Sequence, residues 1–272
     1  MQWWCSAQTV AWDWSWQMYP GVWAFVSLLG IAYWVLLRRL GARAREGALW
    51  ESRLRRATYF AGLLCLWVAL DWPIGPLGAG YLASAHMVQF LLIALVAPPL
   101  LLYGLPSGAF ERLANRPAVL GFLRVVTHPL VALAFFNVTL IATHWPSVVD
   151  SMMGSQLGSF LLDMAWWVAG LVLWWPVVAP VPARPGFAYL YKIGYLILAT
   201  IVNTPVFALL TFSGLPLYAT YELSPPIQGI SPRVDQQLAG LIMKIGGGLI
   251  FWAAITVLFY RWYRAEHAAG EA

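Results

Sequence analysis

The chain has 272 residues, 61% of them hydrophobic and only 10% charged, with 17 tryptophans. No soluble domain of this length needs that composition, whereas a polytopic membrane protein does. The net charge of +5 is no nucleic-acid signal, because the basic residues sit in short segments between apolar stretches.

Seven apolar spans are predicted, at 21–37, 57–72, 82–104, 129–145, 153–178, 189–212 and 237–260. Each is near the ~20 residues that a bilayer crossing requires. The expected fold is all-α: an N-terminal segment 1–20 in the outer interface, a bundle of seven transmembrane helices over 21–260, and a tail 261–272. The loop 38–56 holds Arg38, Arg39, Arg43, Arg45, Arg53, Arg55 and Arg56. Arg112, Arg116 and Arg124 follow in 105–128, Arg184 and Lys192 in 180–192, and Arg261 and Arg264 in the tail. All of these fall on one side, which the positive-inside rule makes cytoplasmic, so the N-terminus is expected outside and the C-terminus inside. Trp3, Trp4, Trp12, Trp14, Trp16 and Trp23 crowd the N-terminus, as expected of an interfacial segment. Cys5 and Cys65 fall at different depths and are not expected to pair.

Prolines mark three places. Ala97-Pro98-Pro99 is expected to break the hydrogen-bond ladder of the third span, and Trp174-Trp175-Pro176 to mark the inner end of the fifth. Thr204-Pro205 interrupts the sixth, with Asn203 placed to answer a freed backbone group.

Polar chemistry gathers toward the outer half of the spans. His86 and Gln89 share a face of the third helix, with Met87 between them. His144 and Asp150 flank the outer end of the fourth. Ser155, Ser159 and Asp163 form an i, i+4, i+8 stripe on the fifth. The seventh opens with Asp235 and Gln236 and carries Met243 and Lys244 inward, with Gln236, Gly240, Lys244 and Gly248 on one stripe. Glycines on either side of Lys244 are expected to admit a neighbouring helix. At ~1.5 Å rise per residue, Lys244 lies about 10 Å inward of Gln237 and Asp163 about 18 Å past Ser151. A charge at such depth costs several kcal/mol unless answered, so Asp163 and Lys244 are expected to pair. His86 and His144 are candidate metal ligands, since imidazole suits copper and zinc, and the thioethers of Met87 or Met243 suit Cu(I).

In order and spacing these motifs resemble the CtaG family of cytochrome c oxidase assembly factors, the polytopic kind found with caa-type oxidases. The resemblance runs through Ala85-His86-Met87 and Gln89, Ala97-Pro98-Pro99, Gly104-Leu105-Pro106, His144-Trp145-Pro146 with Asp150, Trp174-Trp175-Pro176, Lys192-Ile193-Gly194-Tyr195, Thr204-Pro205, Leu217 to Tyr221, and Asp235 to Lys244. It covers residues 80–250. It implies a multi-pass protein of the bacterial cytoplasmic membrane that aids copper delivery to, or maturation of, an oxidase catalytic subunit. Its partners would be oxidase subunits or another membrane respiratory complex, and membrane lipid. His86, His144, Asp150, Met243 and Lys244 match family motif positions. Family members often carry histidine where this chain has Ser159, and some where it has Phe90, so the possible ligand set here is thinner.

Other functions remain in view. A non-metal accessory or scaffold subunit of a respiratory complex would use the arginine-rich loop and the tryptophan-rich N-terminus for docking. Haem held between His86 and His144 is another reading. A retinal photoreceptor would place its lysine in the seventh span, but Gly240 stands where the aspartate four residues earlier is usual. No nucleophile–base pair or carboxylate dyad has local spacing, so no catalytic residue and no enzyme activity is expected.

Overall fold

The computed structural model describes residues 2–41, 49–178, 189–227 and 229–270. Arg43, Arg45 and Arg184 lie outside the described residues. Among those described there are helices and turns and no strand. In chain order they are α1 (Pro20–Leu40), α2 (Leu49–Leu70), α3 (Ile74–Gly80) and α4 (Ala83–Phe90). A π-helical segment, Leu91–Val96, joins α4 to α5 (Ala97–Gly104). Then come α6 (Ser107–Ala114), α7 (Pro117–Val126), α8 (Pro129–Thr143), α9 (Pro146–Met153) and α10 (Gln156–Val178). The last third holds α11 (Tyr189–Val202), α12 (Thr204–Phe212), α13 (Ala219–Glu222) and α14 (Pro232–Leu241), and a second π segment, Ile242–Gly246, leads into α15 (Gly247–Gly270).

Among the described residues five helices are long and apolar enough to cross a membrane: Pro20–Leu40, Ala83–Gly104, Gln156–Val178, Tyr189–Phe212 and Pro232–His267. Two bent pairs, Glu51–Leu70 with Ile74–Gly80 (43°) and Pro117–Val126 with Pro129–Thr143 (65°), raise the number to seven if each is one span. The second predicted span begins earlier than expected, because its arginine-bearing start is already helical and carries the i, i+4 pair Glu51–Arg55 at 3.2 Å. The predicted fifth span divides at Gly154-Ser155. There Ser155 Oγ accepts the Gly158 N–H at 3.0 Å and caps the new helix, so Ser155 leaves the expected stripe.

The third span is the centre of the bundle. Two thirds of its most apolar window (67%) is buried, against 11% for the first span, whose Leu28, Ile31 and Trp34 face outward. It packs against α2, α10 and α14. Pro98-Pro99 does not end it, since the helix runs on to Gly104. The cost falls on one carbonyl instead: the residues four and five beyond Ala94 are both prolines, so Ala94 has no helical donor in either register. Gly170 of α10 presses against that carbonyl, where a Cβ would come within 2.3 Å of Ala94 O.

The charges sort to two ends. At one, Arg55 donates to the carbonyls of Tyr103 and Leu105, Arg112 to that of Arg39, and Lys192 to that of Val177. At the other lie Asp71, Asp150 and Asp235. We call these the basic and acidic ends.

Gly170→Ala is expected to cost about 1–3 kcal/mol through overpacking against backbone. Gly194→Ala, where a Cβ meets nothing within 4 Å, is expected to leave stability unchanged. Melting of the two purified variants in one detergent checks the difference.

Candidate functional site

Some buried polar groups are clasps, whose hydrogen bonds hold the bundle together; others have no partner, and a histidine cluster stands out among them.

Asp235 is the first clasp. It is 2% exposed, and it accepts from the backbone N–H of Ala83 (2.5 Å) and Ser84 (3.2 Å) and from the Ser84 hydroxyl. These donors open α4, whose own preceding residue, Leu82, has no capping side chain. One helix thus supplies the N-cap of another across the bundle. Asp150 does the same for α13, accepting from the N–H of Ala219 (3.2 Å) and Thr220 (2.9 Å) and from Thr220 Oγ1 (2.8 Å). Gln236 accepts from Leu217 N–H at 2.7 Å and donates to the carbonyls of Leu210 and Leu215, tying down the turn between α12 and α13.

Asp163 and Lys244 do not pair. Asp163, 4% exposed on α10, accepts from the Trp4 indole N–H at 2.8 Å and from Gln89 Nε2 at 3.4 Å. Lys244 donates to Thr200 O (3.3 Å) and Thr204 Oγ1 (2.8 Å) and lies 5.6 Å from the Phe207 ring centre. Each charge finds neutral dipoles nearer than the other charge. The lysine, rather than Asn203, supplies a donor at the α11–α12 break, and the Asn203 side-chain oxygen is buried without a partner. Lys244 therefore belongs to the broken sixth span and not to the polar groups around His86.

The glycine stripe holds for half its length. A Cβ on Gly240 would meet Thr211 Oγ1 at 2.2 Å, so α12 comes close there, whereas Gly248 has open space. The π segment inserts between them and turns the helix, so the buried face continues through Met243 and Phe251 instead.

The N-terminal segment is only partly interfacial. Trp14 and Trp16 are exposed, but Trp4 is 1% exposed and reaches Asp163, while Trp3 N–H bonds Gln156 Oε1 at 2.7 Å. The segment is thereby threaded onto the start of α10. Cys5 is buried with it, donating to Leu70 O at 3.3 Å, and both cysteines are free.

His86 and His144 both pack against one indole. The Trp166 ring centre lies 4.8 Å from that of His86, met edge-on, and 5.8 Å from that of His144, which is stacked. Its N–H donates to Thr143 Oγ1 at 2.8 Å, which fixes the plane of the indole. His144 Nδ1 lies 2.8 Å from the Leu140 carbonyl, and a carbonyl only accepts, so Nδ1 carries the proton and Nε2 keeps its lone pair. That Nε2 and both nitrogens of His86 are buried without a partner. Buried polar atoms of this kind cost about 1–3 kcal/mol each, and three of them beside one ring need an explanation.

The donor chemistry fits a soft, low-coordinate ion better than a hard one. Among the described residues no three of His, Cys, Asp and Glu gather as ligands, and the carboxylates nearby are taken up as clasps. Imidazole nitrogens with thioether sulfur close by suit Cu(I). Met87 and Met243 are both 2% exposed in the core, and Met153, which no motif marked, accepts the Tyr221 hydroxyl at 3.4 Å. Phe90, at one position where family members carry histidine, touches both His144 (5.1 Å) and Trp166 (5.2 Å), so it occupies the same cluster with an apolar ring. Ser159, at the other, is buried with its hydroxyl unpartnered. Sequence spacing gave no hint of Trp166, Thr143, Trp4 or Tyr221, because each acts from a different helix or loop. The recurrence of the indole and phenol groups beside polar residues was the only available sign.

These features define a multi-pass helical membrane protein with a buried histidine pair near one end of its bundle. Residues 31–265 match the family described as cytochrome c oxidase caa3 assembly factor (Caa3_CtaG), and the chain belongs to that family. No curated protein and no solved structure matches it significantly.

Trp4→Phe, which strips a donor from the buried Asp163 carboxylate, is expected to cost about 1–3 kcal/mol in detergent melts. A double variant exchanging Asp163 and Lys244 is expected to recover none of the stability lost by Asp163→Asn or Lys244→Met, since the two groups serve separate partners.

Proposed function

We propose that this chain assists maturation of the catalytic subunit of a haem-copper oxidase by holding Cu(I) for transfer, with His86 and His144 as the imidazole ligands. The observation that carries it is the trio of buried, unpartnered imidazole nitrogens packed against Trp166. Membership of the caa3 assembly family supports the oxidase as the partner. A bound copper ion would supply the metal cargo, and the chain's own residues do the rest. Leu140 O fixes the His144 tautomer so that the buried Nε2 keeps its lone pair free. Trp166, held by Thr143, packs against both rings and excludes water from them. Met87, Met153 and Met243 are the thioethers of the surroundings, and which of them joins the imidazoles is open to substitution.

In this reading all seven spans cross, with the acidic end outside and the basic end cytoplasmic, as the distribution of arginine favours. The histidine pair then lies near the outer surface of a bacterial cytoplasmic membrane, the side on which copper for such an oxidase is handed over.

Elemental analysis and Cu(I) titration of the purified protein test the proposal. The wild-type chain is expected to take up Cu(I) with substoichiometric zinc, and His86→Ala/His144→Ala to lose it. Unchanged stoichiometry and affinity in the double variant would remove the pair from the role.

A further inference from the structure

Directly above the histidine pair, at the acidic end, a cavity of about 310 Å³ opens over the first turn of α4. Tyr81, Leu82, Tyr221, Glu222, Ile230 and Asp235 are among its walls. Leu82 accepts the His86 backbone N–H at 3.1 Å, so His86 lies one helical turn below the wall. Between cavity and imidazole stands Tyr221, which lines the one and whose ring centre is 5.9 Å from the other. Its hydroxyl donates to Gly78 O at 2.7 Å and toward Met153 Sδ at 3.4 Å. The ring is 5% exposed, packs on Tyr218 and His86, and is carried by a four-residue helix, α13, which the Asp150 clasp pins at its start.

The electrostatics around this ring are one-sided. Asp235, Asp163 and Asp150 all act on Tyr221, and Glu222, exposed at the cavity wall, adds a fourth carboxylate. The Tyr221 O–H is a donor, since its partner at 2.7 Å is the Gly78 carbonyl. Among the described residues no lysine or arginine is part of its wall, although Arg233 follows the wall residue Pro232. A negative recess of this kind raises the local concentration of cations and speeds their arrival. Acidic walls alone would not make a site. The second observation is His86 behind the ring, 3% exposed with both nitrogens unpartnered.

The geometry points to this cavity as the entry vestibule for the metal cation, with Tyr221 as the gate that swings aside to admit it to His86. The inference rests on the Cu(I) reading above and adds the route and the gate. Glu222 gathers the cation, the wall of Tyr81, Ile230 and Asp235 shapes the passage, and the bonds of the Tyr221 hydroxyl to Gly78 and Met153 set the closed position. Met153, already beside that hydroxyl, gives the passing ion a thioether step before the imidazole.

Loading kinetics test it. Full-length protein in detergent receives Cu(I) from a coloured weak chelate, and transfer is followed by the chelate's absorbance, with final occupancy measured separately. Ile230→Cys, labelled with a bulky methanethiosulfonate, is expected to load several-fold more slowly while reaching the same final occupancy, because blockade changes the path and not the end states. Wild type treated with the same reagent controls for Cys5 and Cys65. Glu222→Gln, an exposed change that leaves the fold alone, is expected to load roughly threefold more slowly at low salt and to converge on wild type at high salt. Tyr221→Phe, which frees the gate from Gly78, is expected to load faster. If wild type loads but the labelled and Glu222→Gln proteins load at its rate, the vestibule is wrong and the histidine site stands. If wild type takes up no Cu(I), the histidine site itself fails and the vestibule falls with it.

Discussion

In a bilayer every backbone N–H and carbonyl must find a partner inside the protein, and two helix starts of this chain, those of α4 and α13, meet that demand with carboxylates borrowed from elsewhere. Asp235 closes the start of α4 from more than a hundred and fifty residues away. Asp150 closes α13, and Asp163 holds the N-terminal segment by the Trp4 indole. These three acids are answered by dipoles instead of a cation, and the ion pair Arg55–Glu51 sits at the basic end. With them engaged in clasps, the His86 and His144 nitrogens are among the buried polar atoms left open, as are both carboxylate oxygens of Asp71.

The helical class, the approximate spans and the sorting of charge were legible in the sequence because each rests on composition over long windows. So was the list of polar residues, since a polar side chain in an apolar run stands out at once. What spacing cannot show is which polar residue faces which. Asp163 and Lys244 looked like partners because they are the two charges at similar depth, yet a helix presents a charge to one neighbour only. The neighbour of Asp163 proved to be a tryptophan from a segment outside the spans. His86 and His144 were marked from the start, but the ring that brings them together, Trp166, is one tryptophan among 17 and carried no label. Asp235, the residue that opens the seventh span in sequence, turned out to be 2% exposed. A charge that caps a helix end and one that faces water look alike in sequence.

The broken helices are part of the same design. A single α-helix keeps one face toward its neighbours along its length, so a residue at i and another at i+11 present the same side. The third and seventh spans each carry a π segment, and an inserted residue turns the lower half of a helix relative to the upper. The two segments touch: a Cβ on Gly246 would meet Leu91 Cδ1 at 2.7 Å, and one on Gly247 would meet Leu91 and Leu95 at 3.5 and 3.6 Å. Above this seam the third span shows His86 and Gln89 to the interior and the seventh shows Asp235 and Gln236. Within and below it the same helices show Ile93, Ala94, Leu95 and Phe251, all buried and apolar. The two π segments, set against each other, so mark the level at which the buried faces of these two helices change from polar to apolar, with the histidine layer on the acidic side of the seam.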